Sequence, residues 1–412
     1  MADGSEKLRR SAMTPTLLGN PARFVASNGL GVSALEGETA LAELRDDWNR
    51  LLAESEADGI FLSWEWLVSW WEAYGQGKRP LILVFRRDER TVGIAPLYRR
   101  DDPFLGPIKL RRLQFIGDGS SDSDYLDLIA VRGEEGEVAA ALFDYLKAEG
   151  EPWDVLALSE VPEGSTSLAR VRQEARRRGL FVVETRAPCT FAPLPSDWDA
   201  YLAGLKPRMR TKVRSLLKKI IADPRLRFEI LDDASRIDSW LEHLYRLHEA
   251  RWKLEGQSGV FGRPGKRDFY ERLTRRLLDA GLLRFYGLLQ DGAPVSLQYC
   301  FAWRNQVLLL QEGFDPSLAD EGAGNMLRAR VFQDCVEKRV AVYDFLGGTN
   351  QHKISWGGQV KETVRLLVGN RRLRAALHLY TPVAREGMKD AVRRAIPESL
   401  LKKLGRGPAP KP

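Results

Sequence analysis

The densest group of chemically versatile side chains is Asp344 followed by Gln351-His352-Lys353, set around the stretch Gly347-Gly-Thr-Asn350. Asp344 could serve as a base or orient one. Lys353 could polarise an acyl carbonyl or bind a substrate anion. A turn-capping carboxylate and a solvated lysine account for the same residues without chemistry. His352 could titrate near neutrality and act as a base. Glu312 interrupts the apolar run Val307 to Phe314. Burial there would raise its pKa into a range suited to base work, whereas an outward-facing strand end would not. Arg251 and Trp252 close the run His248-Glu-Ala-Arg-Trp252 and could hold substrate. Helix packing and a surface ion pair explain them as well. Tyr299 and Trp64 complete the candidates for substrate contact. Trp64 heads the aromatic run Trp64, Trp66, Trp70, Trp71, Tyr74, which could stack on a sugar or fill a core.

A second chemical feature is Glu321-Gly322-Ala323-Gly324-Asn325, directly before an expected helix. A helix start offers free N–H groups and the positive end of the dipole to an anion, and glycines allow close approach. Asp320 and Glu321 are acidic beside this anion site, so a plain loop with a helix start is the alternative.

Other chemistries find no support. His243 and His248 are five apart, whereas a zinc-binding helix spaces its histidines by four. There is no paired-cysteine motif, no Gly-x-Ser-x-Gly elbow and no phosphate loop ending in Gly-Lys-Ser/Thr. No metal is therefore expected. Three widely spaced cysteines, Cys189, Cys300 and Cys335, point to a reducing compartment rather than a disulfide framework. No apolar stretch is long enough to span a bilayer, and the first residues lack the apolar core of a signal peptide. A cytoplasmic protein is expected, with a peripheral inner-membrane association as a secondary reading.

The net charge is +7, but it is local. Residues 371–412 hold eleven Lys/Arg against three Asp/Glu, leaving the other 370 residues at −1. A second basic island runs from Lys206 to Arg227. Such a distribution argues against a nucleic-acid-binding surface. The basic tail carries Leu373, Leu377 and Tyr380, a pattern that could rest on an anionic membrane.

The elements that must position these residues follow from periodicity. A helix is expected over 38–56, then an aromatic helix from Phe61. Strands follow at Leu81–Phe85, Val92–Tyr98, Leu110–Ile116 and Tyr125–Ala130. A helix at 137–149, a strand Asp154–Ser159, a helix at 165–178 stopped by Gly179 and a strand Leu180–Glu184 close the first half. The second half repeats the outline. A helix Leu205–Ile221 has Arg208, Lys212, Lys218 and Lys219 opposite its apolar face. Helices at 234–254 and 266–280 precede strands Leu283–Leu289, Pro294–Trp303 and Gln306–Phe314. A helix at 325–338 leads into strands Ala341–Leu346 and Thr363–Val368. Arg90-Thr-Val-Gly-Ile-Ala-Pro-Leu lies 203 positions before Ala293-Pro-Val-Ser-Leu-Gln-Tyr-Cys, and Asp154 lies 190 before Asp344, which suggests an internal duplication. The expected division is a leader at 1–28, domains at 29–185 and 186–370, and a basic helical tail at 371–412.

From about residue 40 to 368 the chain resembles the tandem-domain acyltransferases of the GNAT superfamily. Within it, the resemblance is to the branch named for the cellulose-biosynthesis protein CelD, related to FemAB-type peptidoglycan aminoacyl transferases. The residues that carry the likeness are Phe61-Leu-Ser-Trp to Trp70, Gly93-Ile-Ala-Pro-Leu and Asp124-Tyr-Leu-Asp127 in the first half. In the second they are Leu247-His-Glu-Ala-Arg-Trp252, Gly313-Phe-Asp-Pro316, and Tyr343-Asp-Phe-Leu-Gly-Gly348 with Lys353 and Trp356-Gly357. The resemblance implies an α/β fold of two GNAT-like domains, each a mixed, mainly antiparallel sheet flanked by helices. It assigns Asp344 and Lys353 to a functional site. It makes Gly322, Ala323, Gly324 and Asn325 the place for the pyrophosphate of acyl-CoA, although Ala319 stands where the superfamily has Gln or Arg.

The expected activity is transfer of an acyl group from acyl-CoA, a co-substrate with no permanently bound cofactor, to an amine or hydroxyl. The acceptor is expected to be a small molecule or glycan in polysaccharide or cell-envelope precursor metabolism. An aminoacyl-tRNA-dependent FemAB-type transferase and a non-enzymatic scaffold of a polysaccharide assembly are the alternatives. The first half lacks a donor loop and reads as scaffold and acceptor wall.

Overall fold

Apolar alternation and turn residues build a run of strands, and one continuous sheet joins them all. The computed structural model describes residues 24–37, 39–148, 153–254 and 256–381. The strands are β1 (Phe24–Val25), β2 (Gly31–Leu35), β3 (Arg79–Arg87), β4 (Arg90–Leu105), β5 (Ile108–Phe115), β6 (Ile129–Ala130), β7 (Val155–Pro162) and β8 (Phe181–Pro193). They continue with β9 (Leu226–Ile230), β10 (Leu283–Gln290), β11 (Ala293–Trp303), β12 (Gln306–Phe314), β13 (Val342–Gly347) and β14 (Gln359–Gly369). The helices are α1 (Ala40–Glu43), α2 (Arg45–Glu54), α3 (Trp64–Tyr74), α4 (Glu135–Ala148), α5 (Thr166–Arg177), α6 (Trp198–Gly204), α7 (Pro207–Ala222), α8 (Ile237–Leu254), α9 (Lys266–Asp279), α10 (Ala323–Glu337) and α11 (Gln351–Ser355). A final helical stretch covers 373–381.

The strand order is β1-β2-β3-β4-β5-β7-β14-β8-β13-β12-β11-β10-β9, with β6 paired to β4. The two halves repeat one plan. In each, an antiparallel triplet (β3-β4-β5 or β10-β11-β12) is followed by a helix (α4 or α10). A strand parallel to the last of the triplet comes next, β7 beside β5 and β13 beside β12. The closing strands are then exchanged. β14, from the end of the second half, pairs with β7, while β8, from the end of the first, pairs with β13, and the two exchanged strands pair with each other. β8 therefore runs across residues 185 and 186, where the halves were expected to part.

The duplication and the mixed sheet are as the sequence suggests, and most elements agree to within a few residues. Three differ. The expected strand Tyr125–Ala130 is reduced to β6 because Tyr125 sits at φ 50° and turns the chain. The Asp127 carboxylate then accepts from Leu128 N and Ser165 Oγ instead of leaving a regular ladder. The helix at 38–56 breaks at Leu44 into α1 and α2. Part of the expected leader is ordered, since Phe24 and Val25 pair with β2; residues 1–23, and the tail from 382, lie outside the described residues.

The aromatic run resolves into core. Trp66 and Trp70 are fully buried on α3, donating to Ser123 Oγ and Ser120 Oγ at 2.9 Å. Burying such rings supplies roughly 2–3 kcal/mol each. α3 packs on α9 of the second half, where Lys266 and Asp122 form a fully buried ion pair. No helix among the described residues is long and apolar enough to cross a membrane.

Candidate active site

The second half encloses a cavity of about 350 Å³. Its walls are the end of β12, the start of α10, the end of β13 and the turn into α11. Glu312, Gly322, Ala323, Gly324, Asn325, His352, Lys353 and Arg251, all singled out in the sequence, line it. Residues far apart in sequence therefore meet, because β12 and β13 are adjacent parallel strands and α10 connects them.

The start of α10 is open. Gly322 takes the N-cap at φ 83° and offers no side-chain acceptor to the first turn. Ala319, the departure from the superfamily pattern, lies in the same wall. One turn into α10, Arg328 is 3% exposed and donates to Glu312 Oε2. Its Nε is buried and has no hydrogen-bond partner among the described residues, and Arg328 lines the cavity. Arg251 approaches the other carboxylate oxygen at 3.4 Å, and Gln298 Nε2 lies 3.3 Å from Oε2.

This corrects the expectation for Glu312. Burial does favour its neutral form, but the Arg328 and Arg251 charges outweigh it and hold the carboxyl below its ordinary value. Glu312 is thus an ionised, clamped carboxylate. His352 is corrected too. Desolvation at the cavity wall and the nearby Arg328 charge push it down to about 4, so it is neutral near pH 7. Its Nε2 lies 3.0 Å from Asn325 Oδ1. The same Nε2 lies 3.3 Å from Trp356 Nε1, which can only donate, so the two contacts call for opposite tautomers of the ring.

Lys353 does not reach into solvent. Its ammonium donates to the carbonyls of Phe345 (3.0 Å), Gly347 (2.7 Å) and Gly348 (3.1 Å), tying the end of β13 to α11. Asn350 caps α11 by accepting from Lys353 N at 2.8 Å. Asp344 lies behind the cavity rather than in it. Its fully buried carboxylate accepts from Tyr125 Oη at 3.1 Å, Lys361 Nζ at 2.8 Å and Leu346 N at 2.8 Å.

Besides Asp344, three candidates are not brought to the cavity. Tyr299 is fully buried in the core, sharing a 2.8 Å hydrogen bond with Thr274. Its strand position faces inward, so it contacts no open space. Trp252 Nε1 donates to His248 Nε2 at 2.8 Å and Trp252 does not line the cavity. Trp64 donates to Leu41 O, with the Arg45 guanidinium 4.6 Å from its ring.

The sequence reading missed Arg328, Tyr125 and Lys361 as site residues. Arg328 had a signal: a cation among the apolar residues Met326, Leu327, Ala329 and Val331. It also overlooked the first-half carboxyl that meets β13. Asp124 is pushed up to about 7 by burial, with Glu160 and Asp344 adding to it. Cys189 Sγ is 4.0 Å from it, and all three cysteines are buried and unpaired. The folded-state value of Asp124 lies above its unfolded one. The stability it confers is complete below about 4 and is lost as pH rises through about 7. Asp124→Asn is therefore expected to melt about 2 °C or more above the parent protein at pH 8.5, with the gap narrowing steadily as pH falls from about 7 toward about 4. A constant gap in melting scans across that range contradicts the assignment.

Residues 207–354 match the family model described as an acetyltransferase (GNAT) domain. No curated protein sequence matches the chain. Among solved structures, that of FemX superposes with a TM-score of 0.57 at 14% identity, covering 78% of this chain and 95% of that one. A conserved protein of unknown function from Bacteroides thetaiotaomicron VPI-5482 superposes with a TM-score of 0.54 at 15% identity, covering 82% and 100%. Residues 207–354 thus match an acetyltransferase (GNAT) domain, within a fold like that of the FemX structure.

Proposed function

We propose that the protein moves an acyl group from acyl-CoA to an amine or hydroxyl of a small-molecule or glycan acceptor, in polysaccharide or cell-envelope precursor metabolism. One observation carries the reading. The uncapped start of α10 shares a cavity with Arg328, Glu312 and His352. The N–H groups of Ala323 to Asn325 suit the pyrophosphate of the donor. The basic face of α7 borders the same place: Lys219 Nζ is 3.3 Å from Glu321 O, and the Lys212 charge is felt by His352. Such a field draws in a polyanion.

In this scheme the acceptor nitrogen or oxygen bonds to the thioester carbon and the C–S bond breaks. The Arg328 guanidinium would stabilise the developing oxyanion, where a preorganised donor is worth about 3 kcal/mol. The acceptor proton passes to His352 and then to the departing thiolate. Glu312 fixes the two guanidinium groups. Asp344 is a positioning residue that holds β13 through Tyr125 and Lys361, and Lys353 holds the turn. The basic tail would favour a lipid-linked acceptor at an anionic membrane surface.

The test is release of free thiol from acetyl-CoA and longer acyl-CoAs; folded protein that binds none of them rejects the reading. Lys212→Glu/Lys219→Glu is expected to raise KM for acyl-CoA about tenfold at low salt, with kcat little changed and the difference shrinking as salt rises. The same basic face would also suit the acceptor end of a charged tRNA. Binding of aminoacyl-tRNA without thiol release would favour that alternative.

A further inference from the structure

A separate cavity of about 280 Å³ lies in the first half, between the starts of β3 and β7 and the last turn of α4. Its walls carry Arg79, Arg99 and Arg111 around Leu81, Leu113 and Trp153. The register explains the grouping. Arg79 stands opposite Arg99, Arg99 opposite Leu113, and Asp101 opposite Arg111. Side chains alternate along a strand, so these share one face. Arg100 and Arg112, which alternate with them along the strands and also border the cavity, both bind Asp102. On the cavity face, Arg99 is 2.9 Å from the exposed Glu36. Among the described residues, Arg79 and Arg111 have no side-chain partner. Asp101 is the one carboxylate in this wall. Like charges placed directly opposite, as Arg79 and Arg99 are, destabilise a sheet. Their presence beside an apolar floor therefore calls for an anion.

We propose that this cavity is a binding site for a phosphate ester. The guanidinium groups of Arg79 and Arg111 would take the phosphate oxygens, and Leu81, Leu113 and Trp153 would receive the attached carbon chain. The volume sits at the bottom of the range for small-molecule sites. It suits a phosphate with a few carbons, such as a glycerol phosphate or the headgroup of a phosphatidylglycerol, and not a whole dinucleotide. The site is on the other half from the acyl-transfer cavity, and stands whether or not that reading holds.

The experiment uses the full chain and two probes, glycerol 1-phosphate in solution and vesicles of phosphatidylglycerol or phosphatidylcholine, at matched ionic strength. A saturable rise in melting temperature of about 2 °C or more with glycerol 1-phosphate, lost in Arg79→Ala/Arg111→Ala, supports a soluble ester. Co-sedimentation with phosphatidylglycerol but not phosphatidylcholine, lost in the same variant, supports a headgroup. Binding through the basic tail would persist in that variant. The proposal is overturned if neither probe binds, or if the variant binds as the parent does. It is equally overturned if the variant merely melts lower with no change in its response to either probe, since the arginines would then only serve the C-terminal end of α4.

Discussion

Arg328→Met is expected to lower stability by about 3 kcal/mol and thiol release by about 100-fold. The guanidinium is almost fully buried, and its one carboxylate partner is Glu312. Removing one member of such a pair strands the other in a poor solvent. The loss stays at the low end of the usual range because Glu312 is 26% exposed and keeps Arg251. Replacing both partners should differ from replacing one. Glu312→Gln/Arg328→Met removes the stranded charge, so urea unfolding should show half or more of the stability regained. Activity should not return if the Arg328 guanidinium stabilises the oxyanion, because that charge is still missing. A single variant that keeps full thiol release would remove Arg328 from the chemistry, whatever its stability.

Asp344 is expected to separate positioning from catalysis. Asp344→Ala leaves Tyr125 Oη and Leu346 N without their acceptor, while Lys361, 38% exposed, can turn to water. The cost should be about 2–4 kcal/mol. Asp344→Asn keeps an oxygen for Leu346 N and should cost less, about 1–2 kcal/mol. If Asp344 positions β13, the Asn variant assayed at low temperature should retain thiol release to within about tenfold. If Asp344 were the base, that variant would be folded and inactive. The kcat of the folded Asn variant therefore decides between the two.

Much of this arrangement was legible in the sequence. The apolar runs of β10 to β13 and the glycines before α10 placed Glu312, Gly322 to Asn325 and His352 on adjoining elements, and the cavity gathers them. What remained hidden depended on long-range pairing. Tyr125 and Lys361 reach Asp344 from another half and another strand, and nothing in their local sequence marks them. The signs of the pKa shifts at Glu312 and His352 were also out of reach. Periodicity left Glu312 between a buried position and an outward strand end, and could not show the two arginines that charge it. Trp64 and Tyr299 show the converse, since an aromatic side chain fits a core and a binding wall equally well until the register is known.

The exchanged strands give the chain an order of completion. β7 ends at Pro162, and its partner β14 begins at Gln359. At ordinary translation rates the about 200 residues between them take roughly 10–40 s to synthesise. Throughout that time the first half emerges with the open edge of β7 exposed, the kind of edge that invites wrong pairing. The first half to be made is therefore among the last to be finished, and a nonsense codon in the final strand would leave its damage in the opening domain.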